Sequence, residues 1–513
     1  VINHWWVSRP KRKLNSIPEV LATIAETSYD VEWYGQLGTQ LSLEDALEKA
    51  GLKRTGERRD QRGGGARTYI AWLISLGLIF VQESTGKIKL TLAGEAILAG
   101  EPPVEIIKNQ VLKYQFPSAF SVRQNVNVSP RFKLQPFRFL LKLLMDKEIG
   151  YLTEEEIAKI VITEAENDSS FSKIVNRIID FRNYGDNSLR HDFFEVYAPK
   201  TGKVNPQKPF DHLLATANTI INWIEYTQLA KRDDESKLKI LDDKYEEVES
   251  ILSVKPKLID RESEHEYFQR KFGLDPNHQR DNRNLTDTKT ITSKIIAEQR
   301  IKTAFISESL RTPIFKISTY VISRVAELSG FDEKIVEETL LRLYPNGAVG
   351  SFMTEYFELA FKGRDNAIEF EKATVELFKN IFGFETKHIG SVGLNPDVYV
   401  LSNEGKYIGI LDNKAYRRYT ISNDHRNRMV HNYIEQYKSD VYPLAFFSYI
   451  SGGFGSNIDS QIKSISDETQ VNGSAMSVTN MIRMVEKHAQ KQYSHSSIKD
   501  IFSLNRQVVL SDL

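Results

Sequence analysis

Leu394–Tyr416 reads LNPDVYVLSNEGKYIGILDNKAY: Pro396-Asp397, then fourteen residues, then Asp412-Asn413-Lys414. Val398 and Val400, and after them Tyr407, Ile408, Ile410 and Leu411, are β-branched, aromatic or aliphatic. Ser402-Asn403-Glu404-Gly405 between them is turn composition, so the stretch predicts two antiparallel strands. Pairing of that kind sets the start of the first strand beside the end of the second and brings Asp397 to Asp412. Side chains alternate along a strand, so Asp412 and Lys414 share one face and Asn413 takes the other. Two hard carboxylates with one ammonium suit Mg²⁺ beside a phosphate, the composition that metal-assisted phosphodiester hydrolysis requires. Each residue alone also has a plainer reading, Asp397 as a turn cap and Lys414 as a charge guarding a strand edge.

The chain that carries this stretch has 513 residues, enough for two to four domains. Hydrophobic residues make up 41% and charged residues 27%, which is ordinary for globular protein and sets disorder and fibrous classes aside. The apolar run Trp72–Val81 stops at ten residues, far short of a span, so no membrane partner is expected. At the N-terminus, VINHWWVSRPKRKL places its charges after the apolar residues and offers no small-residue cleavage site, unlike a secretory signal. The absence of cysteine rules out disulfides and thiolate metal sites and agrees with a cytoplasmic protein.

Net charge is zero, yet its distribution is uneven. Residues 1–135 hold 18 Lys and Arg against 13 Asp and Glu, a net of +5. Lys53–Arg67, KRTGERRDQRGGGAR, carries six basic and two acidic residues around three consecutive glycines. Arginines on a pliable backbone suit phosphate contacts and base-edge readout, so Arg54, Arg58, Arg59, Arg62 and Arg67 are candidate DNA-binding residues. A solvated basic loop is the alternative.

Upstream of the opening stretch the periodicity is mostly helical. Helices are predicted over Ile17–Glu26 and over Ser42–Ala50, the latter capped by Ser42, and then over Thr68–Leu76. A hairpin follows from Leu78–Val81 to Lys87–Leu92 across Ser84-Thr85-Gly86. Helices followed by a two-stranded wing describe a winged-helix unit, which sets a helix in the major groove. Thr153-Glu154-Glu155-Glu156 is a strong helix start. Helices over Phe171–Phe181 and Phe210–Trp223 precede a second hairpin over Gln228–Ile240. The polar run RESEHEYFQRKFGLDPNHQRDNRN, within 255–300, reads as a linker. Beyond it helices are predicted to Phe378.

At Tyr356–Tyr416, the run EYFELAFKGRDNAIEFEKATVELFKNIFGFETKHIGSVGLNPDVY and GILDNKAY resembles the FokI-type nuclease domain of type IIS restriction endonucleases, with ISGGFGSN at Ile450–Asn457 similar to the strand and loop that follow its dimer helix. INHWWVSRP, the GLIFV to LTLAGEAIL region and LKYQFPS at Leu112–Ser118 resemble the recognition region of the AlwI, MlyI and PleI group and related nicking endonucleases. The resemblance implies that Asp397 and Asp412 ligate Mg²⁺ and that Lys414 orients the attacking water and stabilises charge on the phosphate. It also implies a catalytic place for Glu371, an acidic residue near the metal, and for His388, with Lys387 beside the scissile phosphate and in contact with DNA. In that family the helix after KAY carries an Asp and an Arg that pair reciprocally across a cleavage dimer. Those positions fall here on Arg428 and Asn432, and Arg426, Arg428 and His431 make the helix basic.

These readings combine into a multidomain chain. A mainly α, winged-helix recognition region occupies 1–135 and 136–255 as two subdomains, and 256–300 links it to a C-terminal α/β PD-(D/E)xK nuclease domain over 301–513, with a central mixed β-sheet flanked by helices. The expected function is Mg²⁺-dependent cleavage of double-stranded DNA at a fixed distance outside a short asymmetric site, with transient dimerisation or a partner subunit supplying the second cut. A strand-specific nicking endonuclease is the near alternative. A winged-helix regulator with an inactive nuclease fold and a repair nuclease that reads DNA shape are more distant ones.

Overall fold

The computed structural model describes residues 1–54, 62–118, 120–121, 128–199, 210–285, 293–363, 366–390, 395–438 and 441–513. They form two compact units, Val1–Ser307 with Ile322–Tyr344, and Glu308–Val321 with Pro345–Leu513. Arg58 and Arg59 lie outside the described residues.

The first unit is helical with two small hairpins. Its helices include α1 (Ile17–Thr27), α2 (Leu37–Lys49) and α3 (Gly64–Ser75), after which β1 (Ile79–Val81) and β2 (Ile88–Leu90) pair antiparallel. Then come α4 (Pro103–Lys113), α5 (Pro136–Met145), α6 (Phe171–Tyr184) and α7 (Asp211–Tyr226), followed by the antiparallel pair β3 (Ala230–Arg232) and β4 (Leu238–Ile240). Helix α5 shows why these segments are helices. Proline stands in its first turn, where no N–H is needed, and Phe137, Phe139, Leu140, Leu141, Leu143 and Leu144 are all buried. Thr153 and Glu156 close the expected capping box, each side chain bonded to the other's backbone N–H.

Three expectations are corrected. Ser42 caps nothing, because α2 begins at Leu37, where the Gln40 side chain holds the first turns by donating to the Trp33 carbonyl at 3.2 Å. The stretches 1–135 and 136–255 share one contiguous core that runs from Trp5 to Ile306 and do not stand as separate subdomains. The polar stretch 256–300 is not simply a linker, because His265–Phe272 (α8) is docked into that core. Phe268 and Phe272 are buried, and Gln269 Nε2 donates to the carbonyls of Ile74 and Ile79 at 2.8 and 2.9 Å. Two aromatic rings and one amide hold a short helix whose average composition is that of a loop.

The second unit is built on one mixed six-stranded sheet, as expected. It contains α9 (Val349–Leu359), α10 (Ala367–Asn380), β5 (Glu385–His388), β6 (Val398–Ser402), β7 (Tyr407–Lys414), an α-to-π helix over 423–437 (α11), β8 (Leu444–Ser451), α12 (Ile458–Thr469), β9 (Asn472–Ser477), α13 (Val478–Gln490), α14 (His495–Phe502) and β10 (Arg506–Gln507). Strand order is β10-β9-β8-β7-β6-β5. The β5–β6 and β6–β7 pairs are antiparallel, and β7–β8, β8–β9 and β9–β10 are parallel. Parallel neighbours require crossovers, which α11, α12 and the pair α13–α14 supply. Seven of the eight β7 residues are buried, as expected of a central strand covered on both faces. Gly409, at the β7–β8 register shift, makes room for Phe446, since a Cβ there would lie 2.3 Å from its ring. In the β6–β7 turn, Lys406 is the residue with positive φ, at 52°, and Gly405 is not.

Candidate active site

Asp397 stands just before β6, and the register Val398↔Leu411 places it opposite Asp412 on β7. The Asn413 backbone N–H donates to Asp397 Oδ2 at 2.7 Å, and Lys414 Nζ pairs with Asp412 Oδ2 at 2.7 Å. The hairpin and the strand alternation therefore deliver the predicted cluster. β5 closes it from the other side: the N–H groups of Ile389 and Gly390 donate to the Asp397 carbonyl at 3.0 and 3.3 Å. Gly390 has φ +65°, a left-handed conformation that favours glycine. His388 Nε2 lies 2.7 Å from Glu371 Oε2, tying β5 to α10, and the Glu371 charge acts on Asp397. Lys387 is exposed on β5, with its Nζ 5.7 Å from the centre of the Tyr399 ring.

The electrostatics are those of crowded like charges. Burial pushes the Asp397 carboxyl well above its ordinary value; Asp412 and Glu371 push the same way, with Lys414 opposing. Burial alone would lower the Lys414 ammonium, but Asp412 and Asp397 more than offset it and hold it charged. Tyr419, Tyr433 and Tyr449 are raised by burial and then by the Asp412 charge, which keeps their hydroxyls protonated.

Asp412 is 3% exposed, and its Oδ1 has no hydrogen-bond partner among the described residues. A buried carboxylate oxygen left without a donor is costly and fits a cation. The donor set of Asp397 and Asp412 is all oxygen, as Mg²⁺ prefers. Among the described residues no three His, Asp or Glu side chains converge as a ready-made metal cluster, so Mg²⁺ held here would retain much of its water.

Residues that the sequence pattern did not single out hold the cluster in place. Asn413, on the opposite face of β7, donates from Nδ2 to Thr374 Oγ1 at 2.6 Å, and Thr374 Oγ1 lies 3.0 Å from the Tyr356 hydroxyl. This relay locks β7 to α10 and α9. Its only local signal is strand alternation at Asn413; the contact spans 39 residues of chain. His425 Nδ1 lies 2.8 Å from the Tyr419 hydroxyl, a pair that no spacing rule announces.

The expected DNA contacts are less uniform. Arg54 and Arg62 are exposed. Arg67 is exposed but donates to Gln40 Oε1 at 2.9 Å and to the Arg62 carbonyl, and Lys53 is paired with Glu44 and Glu48 at 2.7 and 3.2 Å. On α11, Arg428 pairs with Asp424 at 2.8 Å and Arg426 pairs with Glu468. The arginines that made this helix read as basic are thus bonded within the chain.

Residues 330–509 match the FokI cleavage domain. Residues 74–287 match the AlwI restriction endonuclease. The chain therefore resembles the type IIS restriction endonucleases in both its N-terminal and C-terminal regions. Type II restriction enzyme FokI of Planomicrobium okeanokoites is 29% identical over 150 residues, 25% of this chain and 25% of that enzyme. Type II restriction enzyme StsI of Streptococcus sanguinis is 25% identical over 146 residues, 26% of this chain and 24% of that enzyme. The matched part thus spans about a quarter of each relative's length. A solved structure of restriction endonuclease FokI aligns over 99% of this chain and 100% of its own, at 14% identity and a TM-score of 0.29. No helix among the described residues is long and apolar enough to cross a membrane.

Proposed function

We propose that this protein is a type IIS restriction endonuclease that binds a short asymmetric sequence in double-stranded DNA and hydrolyses phosphodiester bonds at a fixed distance outside it, with Mg²⁺ as cofactor. The observation that carries the reading is the meeting of Asp397, Asp412 and Lys414 around a buried carboxylate oxygen, Asp412 Oδ1, that has no hydrogen-bond partner among the described residues. Asp397 and Asp412 would hold the cation, which when bound neutralises charge on the scissile phosphate. Lys414, kept protonated by its two carboxylates, presents an ammonium to the phosphate and orients the water that attacks it. Glu371 holds His388 by a direct hydrogen bond, and Lys387 on the same exposed strand offers a backbone-phosphate contact.

Recognition belongs to the first unit. Its two helix-then-hairpin successions, α3 with β1–β2 and α7 with β3–β4, support a winged-helix reading in which a helix enters the major groove. Arg54, Arg58, Arg59, Arg62 and Arg67 around the start of α3 would contact DNA. The nuclease unit need then contact only phosphates, because specificity is supplied elsewhere. One active site cuts one strand at a time, so the second cut calls on a second copy or a partner subunit. The protein would act in the cytoplasm, where the DNA of a prokaryotic cell lies.

Run-off sequencing of both strands of a plasmid digested with Mg²⁺ tests this directly. Ends at a constant offset from one short motif are expected, and ends scattered without a motif would sink the reading. Linear product shows that both strands are cut, and an open circle alone shows a nicking enzyme.

A further inference from the structure

The N-terminal run INHWWVSRPKRK is not used by the recognition helices or by the active site. It is an extended segment pinned into the core: Trp5 is 1% exposed, its indole N–H donates to the Ala165 carbonyl at 2.8 Å, and its backbone N–H donates to the Ile162 carbonyl at 2.8 Å. Val7 and Leu14 are buried as well. Between and beyond these anchors stand His4, Arg9, Lys11 and Arg12, partly or fully exposed.

Two of these groups, His4 and Arg9, meet the first turns of α7. Arg9 Nη1 donates to Thr216 Oγ1 at 2.9 Å, and the His4 and His212 rings meet edge to face at 5.8 Å. His212 Nδ1 is buried and has no hydrogen-bond partner among the described residues. The charges nearby are of one sign. Burial and then His212, Arg9 and Arg131 push His4 down to about 4, and burial and then Arg12 push Arg9 down. Among the described residues, carboxylates act at the margins, Glu19 on Lys11 and Asp211 on His212. Arg131 is already bonded to Glu166, Asn3 and Thr163. What remains is a half-buried guanidinium, Arg9, that no carboxylate of the described residues is paired with, with the Arg12 charge acting on it and two imidazoles beside it. Two guanidiniums set close together cost free energy until an anion joins them, the imidazoles that burial keeps neutral add hydrogen-bonding groups, and an arginine fork matches phosphate oxygens.

We propose that Arg9, Arg12, His4 and His212 form a phosphate-binding site on the first unit that takes a backbone phosphate of double-stranded DNA. The site deepens the proposed function, on which it rests. It fixes the position and orientation of the first unit on the duplex and reads no bases. Free phosphate shares the chemistry, so the test separates the two sources.

The test is carried out on the intact chain, with Arg9→Gln, Arg12→Gln and the double variant, by fluorescence anisotropy of a labelled duplex of arbitrary sequence titrated with salt. The double variant is expected to bind roughly tenfold more weakly, with the slope of log affinity against log salt reduced by about 1 to 2. Affinity and slope unchanged in a folded double variant overturn the proposal. Arg12 is exposed, so Arg12→Gln still reports if Arg9→Gln fails to fold, and a lowered slope in it supports the site while an unchanged one counts against it. Inorganic phosphate that raises the melting temperature of the parent protein but not of the variants, with duplex affinity the same in all, shows a free-anion site and overturns the DNA assignment. If the parent protein binds no duplex, both this site and the proposed function fall. If the parent binds and cleaves while the arginine variants match it, only this site falls.

Discussion

Both units bury carboxylates beside basic side chains, and the two arrangements have opposite outcomes. In the first unit Glu225 is 5% exposed and fully engaged: Arg232 donates to it from Nε and Nη2 at 3.0 and 2.8 Å and from its backbone N–H at 3.0 Å. Burial would raise Glu225, but Lys231 and Arg232 more than offset that and hold it down at about 2. Glu247, between Lys108 and Lys244, is also held at about 2. In the second unit Asp397 and Asp412 face one another, share a single Lys414, and drive Asp397 up. Every oxygen of Glu225 has a donor, whereas Asp412 Oδ1 has none among the described residues. Satisfied carboxylates hold a fold together. A crowded pair with one oxygen left without a donor is the arrangement proposed above to take a cation.

The largest expected effect follows from that contrast. Asp412→Ala should lower Mg²⁺-dependent cleavage by roughly a thousandfold while leaving duplex binding intact. It should leave the melting temperature without Mg²⁺ equal or higher, because it relieves crowding around Asp397. A loss of fold in this variant would place Asp412 with Glu225 among the structural carboxylates. Mg²⁺ should raise the melting temperature of the parent protein and not that of Asp412→Ala, a readout independent of turnover.

Arg232→Ala makes the converse case. It strips both side-chain donors, Nε and Nη2, from a buried Glu225, leaves only the backbone N–H, and should cost about 3 kcal/mol of stability, measured by denaturant unfolding, with cleavage at saturating DNA unchanged below the new melting point. Acid reaches the same groups without mutation. A carboxyl whose folded value lies below its unfolded value contributes stability above the unfolded value and loses it as pH falls. For Glu225 and Glu247 the window runs from their ordinary 4.5 down to about 2. The first unit should therefore lose stability across that range, and Glu225→Gln should flatten the curve there.

The contrast was partly legible in the linear chain. Asp397, Asp412 and Lys414 could be read together because strand alternation and a hairpin are local rules, and fourteen intervening residues are enough to apply them. Asn413 pointing the other way was legible by the same rule, but its partners Thr374 and Tyr356 were not, since which helix covers a strand is decided by packing. Helix α8 was misread because composition averages over Phe268, Gln269 and Phe272, the three residues that dock it. The arginines of α11 read as a free basic face, although Arg428 finds Asp424 one turn back and Arg426 finds Glu468 on α12. Charge counts register residues and not their partners.

The smallest effect sharpens the boundary between the two kinds of carboxylate. Glu371 belongs to neither extreme, being 7% exposed, bonded to His388 Nε2, and still felt by Asp397. If it serves the cation through its neighbours, Glu371→Gln keeps its shape and a hydrogen bond but removes a negative charge beside the cluster. Cleavage should fall by roughly tenfold, and the Mg²⁺ concentration for half-maximal rate should rise. Raising Mg²⁺ should restore Glu371→Gln and not Asp412→Ala, because only the second lacks an oxygen that the cation would use. A Glu371→Gln protein that loses stability without any change in Mg²⁺ demand would instead put Glu371 with Glu225, as a carboxylate whose task is to hold β5 against α10.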